Sequence, residues 1–272
     1  MPKARTVAAR AATAAEAPVA QTLRRGLAVL RLLMRAGPAG LRVSEIGRRL
    51  DLNKATAVRL TRTLLDEQFV AHDPLTRTYR LGPEAFAVGL AAEPSYALQR
   101  RAAPLLHTLA RESGEWVFFS VPHGYEAICL SREEGDVPLP APALKAGDRV
   151  PLGVGAGGLA MLATMPDTEV DAALAHHAKD IDAQYPRCNV AVIRRLLAET
   201  RDQGWSLIPG LIVPGYWALG VAVMGDRGRC EAAVSLVAAA PRLRVARRAA
   251  LAQRLLSVAR DLAVPPAASV GA

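Results

Sequence analysis

From Gln21 onward apolar residues return at helical spacing: Leu23, Leu27, Leu30 and Met34, with Val29 and Leu33 widening the stripe. That spacing predicts a helix with an apolar stripe. It has to stop at Gly37-Pro38-Ala39-Gly40, which cannot continue a helix. After Leu41 a second, short helix is predicted from Val43, Ile46 and Leu50, with the polar Ser44 and Glu45 in its first turn. Asp51-Leu52-Asn53 interrupts, and Asn53 suits the N-cap of a third helix. There Ala57, Leu60, Thr61 and Leu64 make one narrow buried face, leaving Lys54, Ala55, Thr56, Val58, Arg59 and Arg62 outside. Phe69-Val70-Ala71-His72 and Thr78-Tyr79-Arg80-Leu81 then read as short strands around the turn-rich Asp73-Pro74-Leu75-Thr76-Arg77. Three helices and a terminal hairpin, in this order, predict a winged helix-turn-helix over residues 21–82.

Helical pattern resumes from about Pro83 to Gly89 and from about Tyr96 to Arg111, with Pro94 between, which predicts a linker helix over 83–95. A second domain is expected over 96–262. Val117–Val121 and Glu126–Leu130 look like a hairpin turned at Pro122-His123-Gly124. Further strands are expected near 148–152, 205–208, 218–224 and 231–237, and helices near 157–164, 168–177, 189–203 and 242–262. Strands mixed with helices in this way predict an α+β sheet with helices packed on it. The Ala- and Arg-rich residues 1–20 and the Pro- and Ala-rich residues 263–272 are expected to be disordered tails.

Composition sharpens this picture at one point. Residues 1–90 hold 15 Lys or Arg against 7 Asp or Glu, while the remainder holds 19 against 18. Nearly all of the net charge of +9 therefore sits in the first third, as in a module that binds a polyanion. The expected cytosolic setting rests on cysteine usage: Cys129, Cys188 and Cys230 are scattered and odd in number, with neither metal-ligand spacing nor a disulfide framework. No apolar run approaches the ~20 residues a membrane helix needs, so no membrane partner is expected.

The helix-turn-helix reading gives the exposed set a use. The second helix of such a pair enters the major groove with its front residues against base edges. Ala55 and Thr56 are small enough for close approach, and Val58 suits a thymine methyl group. Lys54, Arg59 and Arg62 can donate to phosphate or guanine, Ser44 and Asn53 stand beside them, and Arg77 and Arg80 place two more donors on the wing. Double-stranded DNA is the expected partner.

QTLRRGLAVLRLLMRAG, LRVSEIGRRLDLNKATAVRLTRTLLDEQFV and TYRLGPEAFAVG closely resemble the DNA-binding domain of the IclR family of bacterial transcriptional regulators. GDRVPLGVGAGGLAMLATMP, VIRRLLAETRDQGWSL and VPGYWALGVAVMGDRGRCEAAVSLVAAAPRL resemble its second domain more loosely. The resemblance implies a GAF-like α/β effector-binding domain, homodimers joined largely through the DNA-binding region, often homotetramers, and a small organic effector. A dimer in turn predicts a pseudo-palindromic operator. It places the ligand site at Leu152, Gly155, Ala156, Gly157, Tyr216, Trp217, Ala218, Ser235 and Val237. Four positions depart from the family pattern. Gly158-Leu159 replaces a usual Gly-Lys, and Leu207-Ile208-Pro209-Gly210 stands where acidic residues are common. Ala218 replaces a frequent cysteine, and Val237 a small polar residue. A pocket poorer in polar groups implies an effector with a substantial hydrophobic or aromatic part. Two alternatives stay open: a degenerate pocket that ignores ligands, and a ligand-binding protein whose winged helix serves partner contacts.

One segment tempts toward an enzyme. Gly153, Gly155 and Gly158 match the dinucleotide fingerprint and precede a helix. The preceding strand is short and follows Pro138, Pro140 and Pro142, and no acidic residue ends a second parallel strand. His176 and His177 are adjacent, hence roughly 100° apart on a helix, and are expected near its exposed end. Ser120 near His123 has no orienting acid in the pattern, and Cys129 and Cys230 fall in apolar runs as core residues. No catalytic residue, metal or cofactor is expected.

Overall fold

The computed structural model describes residues 20–92, 97–136 and 144–263. Apart from Ala20 and Ala263, the expected tails lie outside the described residues, as do Pro94 and the prolines at 138, 140 and 142. Packing divides the chain into two compact units, Met1–Val88 and Gly89–Ala272.

The first unit contains α1 (Gln21–Ala36), α2 (Val43–Arg49), α3 (Lys54–Asp66) and an antiparallel hairpin of β1 (Val70–Asp73) and β2 (Thr78–Leu81). Its core is Val29, Leu33, Leu41, Ile46, Leu60 and Val70. The hairpin is tied to the helices by a pair of backbone bonds, Leu41 N–H to Tyr79 O at 2.9 Å and Tyr79 N–H to Leu41 O at 2.8 Å. On α1 the apolar stripe divides between core and solvent. Gly26, Val29 and Leu33 are buried, while Leu23 and Leu27 remain 63% and 42% exposed. The apolar sector is wider than the small core it meets, so its outer edge stays uncovered. The next helix, α4 (Pro83–Ala92), buries no residue and exposes Phe86, Val88 and Leu90.

In the second unit α5 (Ala97–Ser113) leads into a six-stranded antiparallel sheet. Its strands are β3 (Trp116–His123), β4 (Glu126–Glu133), β5 (Arg149–Pro151), β6 (Ser206–Pro209), β7 (Tyr216–Met224) and β8 (Cys230–Ala239), ordered β5-β4-β3-β8-β7-β6. Between them run α6 (Ala156–Ala163), α7 (Asp167–Gln184) and α8 (Val190–Gln203), and α9 (Val245–Leu262) closes the fold. Alternation along each strand assigns the faces. Val117, Phe119, Leu219, Val221, Val234 and Leu236 pack against α5 and α9. The opposite face meets α6, with α7 and α8 packed around it. Sheet between helical layers accounts for strands that are apolar at nearly every position.

Three local readings change. The hairpin turn falls at Gly124-Tyr125, since Pro122 and His123 still pair with Ala127 and Glu126. α7 runs to Gln184 rather than ending near 177, because Ile181 is fully buried and carries the helix another turn into the core. His176 and His177 therefore lie within the helix, the first exposed and the second half-buried beside Asp180.

Candidate nucleic-acid interface and ligand cavity

α3 starts where it does because Asn53 Oδ1 accepts the Thr56 N–H at 2.8 Å, a cap worth about 1 kcal/mol. Ala57, Leu60 and Thr61 turn inward, and the Thr61 hydroxyl donates to the Ala57 carbonyl at 2.8 Å. The outer face presents Lys54, Ala55, Val58, Arg59 and Arg62, with Thr56 half-buried among them. Among the described residues the Lys54 and Arg59 side chains make no ion pair or hydrogen bond. Arg62 lies 2.9 Å from Asp66, in a pair whose members are 73% and 54% exposed. An exposed pair of that kind contributes little, so it yields readily to a phosphate. Ser44 is exposed in the first turn of α2, and Arg77 and Arg80 are exposed on the wing. In the wing turn Asp73 Oδ1 accepts Leu75 N–H at 2.8 Å and Thr76 N–H at 3.4 Å. Those bonds hold the Asp73 carboxyl below the usual carboxylate range.

The second unit holds a partly open cavity of about 120 Å³ between the sheet and the N-terminus of α6. Phe118, Ser120, Ala127, Ala218, Ser235 and Val237 form its sheet wall, and Gly155–Gly158 the helix side. Ile212 and Val213 of the β6–β7 connection and Tyr216 at the start of β7 close it. Among the described residues no charged side chain lines it, and the polar side chains are Ser120, Tyr216 and Ser235. The first amides of α6, at Ala156, Gly157 and Gly158, have no intrahelical acceptor and border the same space. α6 is fixed at both ends. The buried Ser206 hydroxyl donates to Ala156 O at 2.6 Å, and Arg201 donates to Ala163 O at 3.1 Å and Met165 O at 2.7 Å. The helix end is thus presented as a preset row of donors.

The family profile described as "IclR helix-turn-helix domain" matches residues 22–74, and "Bacterial transcriptional regulator IclR C-terminal" matches residues 92–264. This chain belongs to the IclR family. It is a transcriptional regulator with a DNA-binding helix-turn-helix module. Among IclR-family relatives, the HTH-type transcriptional repressor AllR of Klebsiella pneumoniae is 30% identical over 226 residues, 82% of each chain. An IclR regulator from Alicyclobacillus acidocaldarius superposes with a TM-score of 0.74 at 24% identity, covering 90% of this chain and 98% of that one. An IclR homologue from Microbacterium hydrocarbonoxydans, solved in complex with 4-hydroxybenzoate, gives 0.72 at 21% identity, covering 89% and 97%.

Within this IclR fold the cavity gathers Gly155, Ala156, Gly157, Tyr216, Ala218, Ser235 and Val237. Two residues expected with them lie elsewhere. Trp217 alternates to the opposite face of β7, where it packs on the α5–α9 core with Arg248 stacked over its ring at 5.6 Å. Leu152 is buried among α6, α7 and α8 side chains and does not reach the cavity. Phe118 and Ser120 were missed, although their phase on β3 is legible once Phe118 is seen to pair with Ser235. The fingerprint glycines serve a turn. Gly153 and Gly155 have φ of 91° and 75°, and the strand before them, β5, pairs antiparallel to β4, so the parallel crossover a dinucleotide site requires does not form. Burial pushes the Cys129 thiol up to about 12, with the Asp148 charge adding to it, and raises Cys188 and Cys230 to about 11. Cys230 is half-buried at the start of β8 rather than in the core. Among the described residues no helix is long and apolar enough to cross a membrane.

Proposed function

We propose that this protein is an operator-binding regulator controlled by a small organic effector with an apolar or single-ring aromatic body, held in the second unit. The partly open, apolar cavity beside the first amides of α6 carries this reading. Its volume of about 120 Å³ compares with the roughly 150 Å³ that accommodates benzene in an engineered protein cavity. A carboxylate on such a ring finds the α6 amides and the helix dipole at one end. Ser235, Ser120 and Tyr216 supply the remaining hydrogen bonds. The 4-hydroxybenzoate complex of the Microbacterium homologue supports a ligand of this class. Calorimetric titration of single-ring aromatic acids and short aliphatic acids tests it. At least one aromatic acid should bind, and a strong, selective response to glyoxylate instead would sink the assignment.

On the DNA side, α3 enters the major groove with Lys54, Ala55, Thr56, Val58 and Arg59 at its front, and Ser44, Asn53, Arg62, Arg77 and Arg80 on the backbone. The exposed Leu23 and Leu27 of α1 and Phe86, Val88 and Leu90 of α4 favour a homodimer, whose two recognition helices read a pseudo-palindromic operator. Arg59→Ala should weaken operator binding by about 1–3 kcal/mol. Arg111→Ala, on α5 in the near-neutral second unit, should leave it unchanged. A mobility-shift titration at several salt concentrations measures both, and equal effects would remove α3 from the interface.

A further inference from the structure

The wing carries a feature that phosphate contacts leave unused. Leu75, at the tip of the β1–β2 turn, is 92% exposed, the most exposed large hydrophobic side chain among the described residues. It is also held firmly. Asp73 accepts the Leu75 and Thr76 amides, the Thr76 and Thr78 hydroxyls are hydrogen-bonded at 2.8 Å, and Arg77 takes φ of 57°. The paired bonds between Leu41 and Tyr79 anchor that hairpin to the same unit as α3. A rigid turn thus presents one apolar side chain to water with a guanidinium on each following element, Arg77 in the turn and Arg80 on β2.

With the wing along the minor groove, as winged helices commonly dock, we infer that Leu75 at its tip is an apolar wedge. The inference rests on α3 being the major-groove helix, since the wing then lies along the same duplex. Arg77 and Arg80 hold the phosphates on either side of the groove, while Leu75 packs against sugars and base edges at its floor. Proteins that enter the minor groove use Leu and similar side chains in this way, partly unstacking a base step and bending the duplex. Binding orders little backbone because the turn is already formed, so the side chain's own rotamer freedom is the main entropy lost. Flexible pyrimidine–purine steps beside each half-site are the sequences that accept such a wedge most readily. The wing would then select sequence through deformability at positions that α3 never reaches.

The test uses the full chain and a duplex that the wild-type protein selects from a random pool. Hydroxyl-radical footprinting, which attacks sugars through the minor groove, is read beside affinity and a fluorescence measure of bending. Leu75→Ala should weaken binding about tenfold, the scale of exposing a packed leucine again. It should also lose sugar protection flanking each half-site and reduce the bend, and Leu75→Met should restore much of all three. The side chain touches little within the protein, so both variants should melt as the wild type does. Unchanged binding by Leu75→Ala, or weaker binding with flanking protection and bend intact, would overturn the proposal. If the wild-type protein selects no duplex, the α3 reading fails first and the wedge falls with it.

Discussion

Gly220→Ala should remove ligand binding and lower stability together. Gly220 sits on β7 directly beneath the start of α6. A Cβ there would lie 2.6 Å from the Ala156 carbonyl carbon and oxygen and 2.8 Å from Ser206 Oγ. Backbone on one side and a fully buried hydroxyl on the other leave nothing flexible to yield. The helix end must lift, and the Ser206–Ala156 hydrogen bond stretches or breaks. Forced overpacking of this kind costs about 1–3 kcal/mol. The function suffers more, because Ala156, Gly157 and Gly158 are the donors that the cavity offers. Gly157→Ala provides the contrast. Its methyl would sit 3.4 Å from Ser235 Oγ and 3.6 Å from Ala233 Cβ, ordinary contacts that fill the cavity without disturbing the seat. Alanine also favours a helix by about 1 kcal/mol over glycine. Gly157→Ala should therefore keep or raise the melting temperature while weakening the ligand found by calorimetry. If Gly220→Ala binds that ligand with wild-type affinity, α6 does not depend on this seat, and its amides are not the anchor.

The first unit was legible because its information is local. Asn53, the Gly-Pro stop and the period of α3 are read within a few residues of where they act, and the exposed set on α3 follows from the inward set. α1 shows the limit of that reasoning. Periodicity identified the helix, but Leu23 and Leu27 point away from the core, and no single-chain pattern says which edge of a wide apolar sector is covered. The cavity was harder. Resemblance placed Tyr216, Trp217 and Ala218 together, whereas strand alternation separates Trp217 from its neighbours. Phe118 and Ser120 come from a strand more than a hundred residues before Ser235, and only the β3–β8 pairing brings them to one wall. Ile212 and Val213 reach it from a connection with no periodic signal at all.

Glu115→Ala should destabilise the second unit by about 3 kcal/mol, the cost of opening a buried carboxylate site paired with two arginines. Glu115 joins α5 to β3 and its side chain is 3% exposed. Its Oε1 accepts Arg242 Nε and faces Arg247 Nη1, each at 2.7 Å. Arg247 also donates to Ser113 O at 2.7 Å and to Arg242 O at 2.9 Å. One carboxylate therefore fastens the entry to β3 onto the β8–α9 connection, about 130 residues away in sequence. Although Arg247 keeps its two carbonyl acceptors, truncation removes the carboxylate that the two guanidiniums share. Both are over a third exposed, so water recovers part of the loss, which sets the estimate at the lower end for a broken buried pair. Arg242→Ala should cost less, about 1–2 kcal/mol, because Arg247 stays on the carboxylate. The measurement is selective by an accident of composition. All three tryptophans, Trp116, Trp205 and Trp217, lie in the second unit, so urea unfolding followed by tryptophan emission reports that unit alone. A shift in the Glu115→Ala midpoint worth less than about 1 kcal/mol would show that hydrophobic packing of α5 and α9 fixes this corner without the charges. A larger loss for Arg242→Ala than for Glu115→Ala would show instead that the arginine stems, rather than the shared carboxylate, hold β3 to α9.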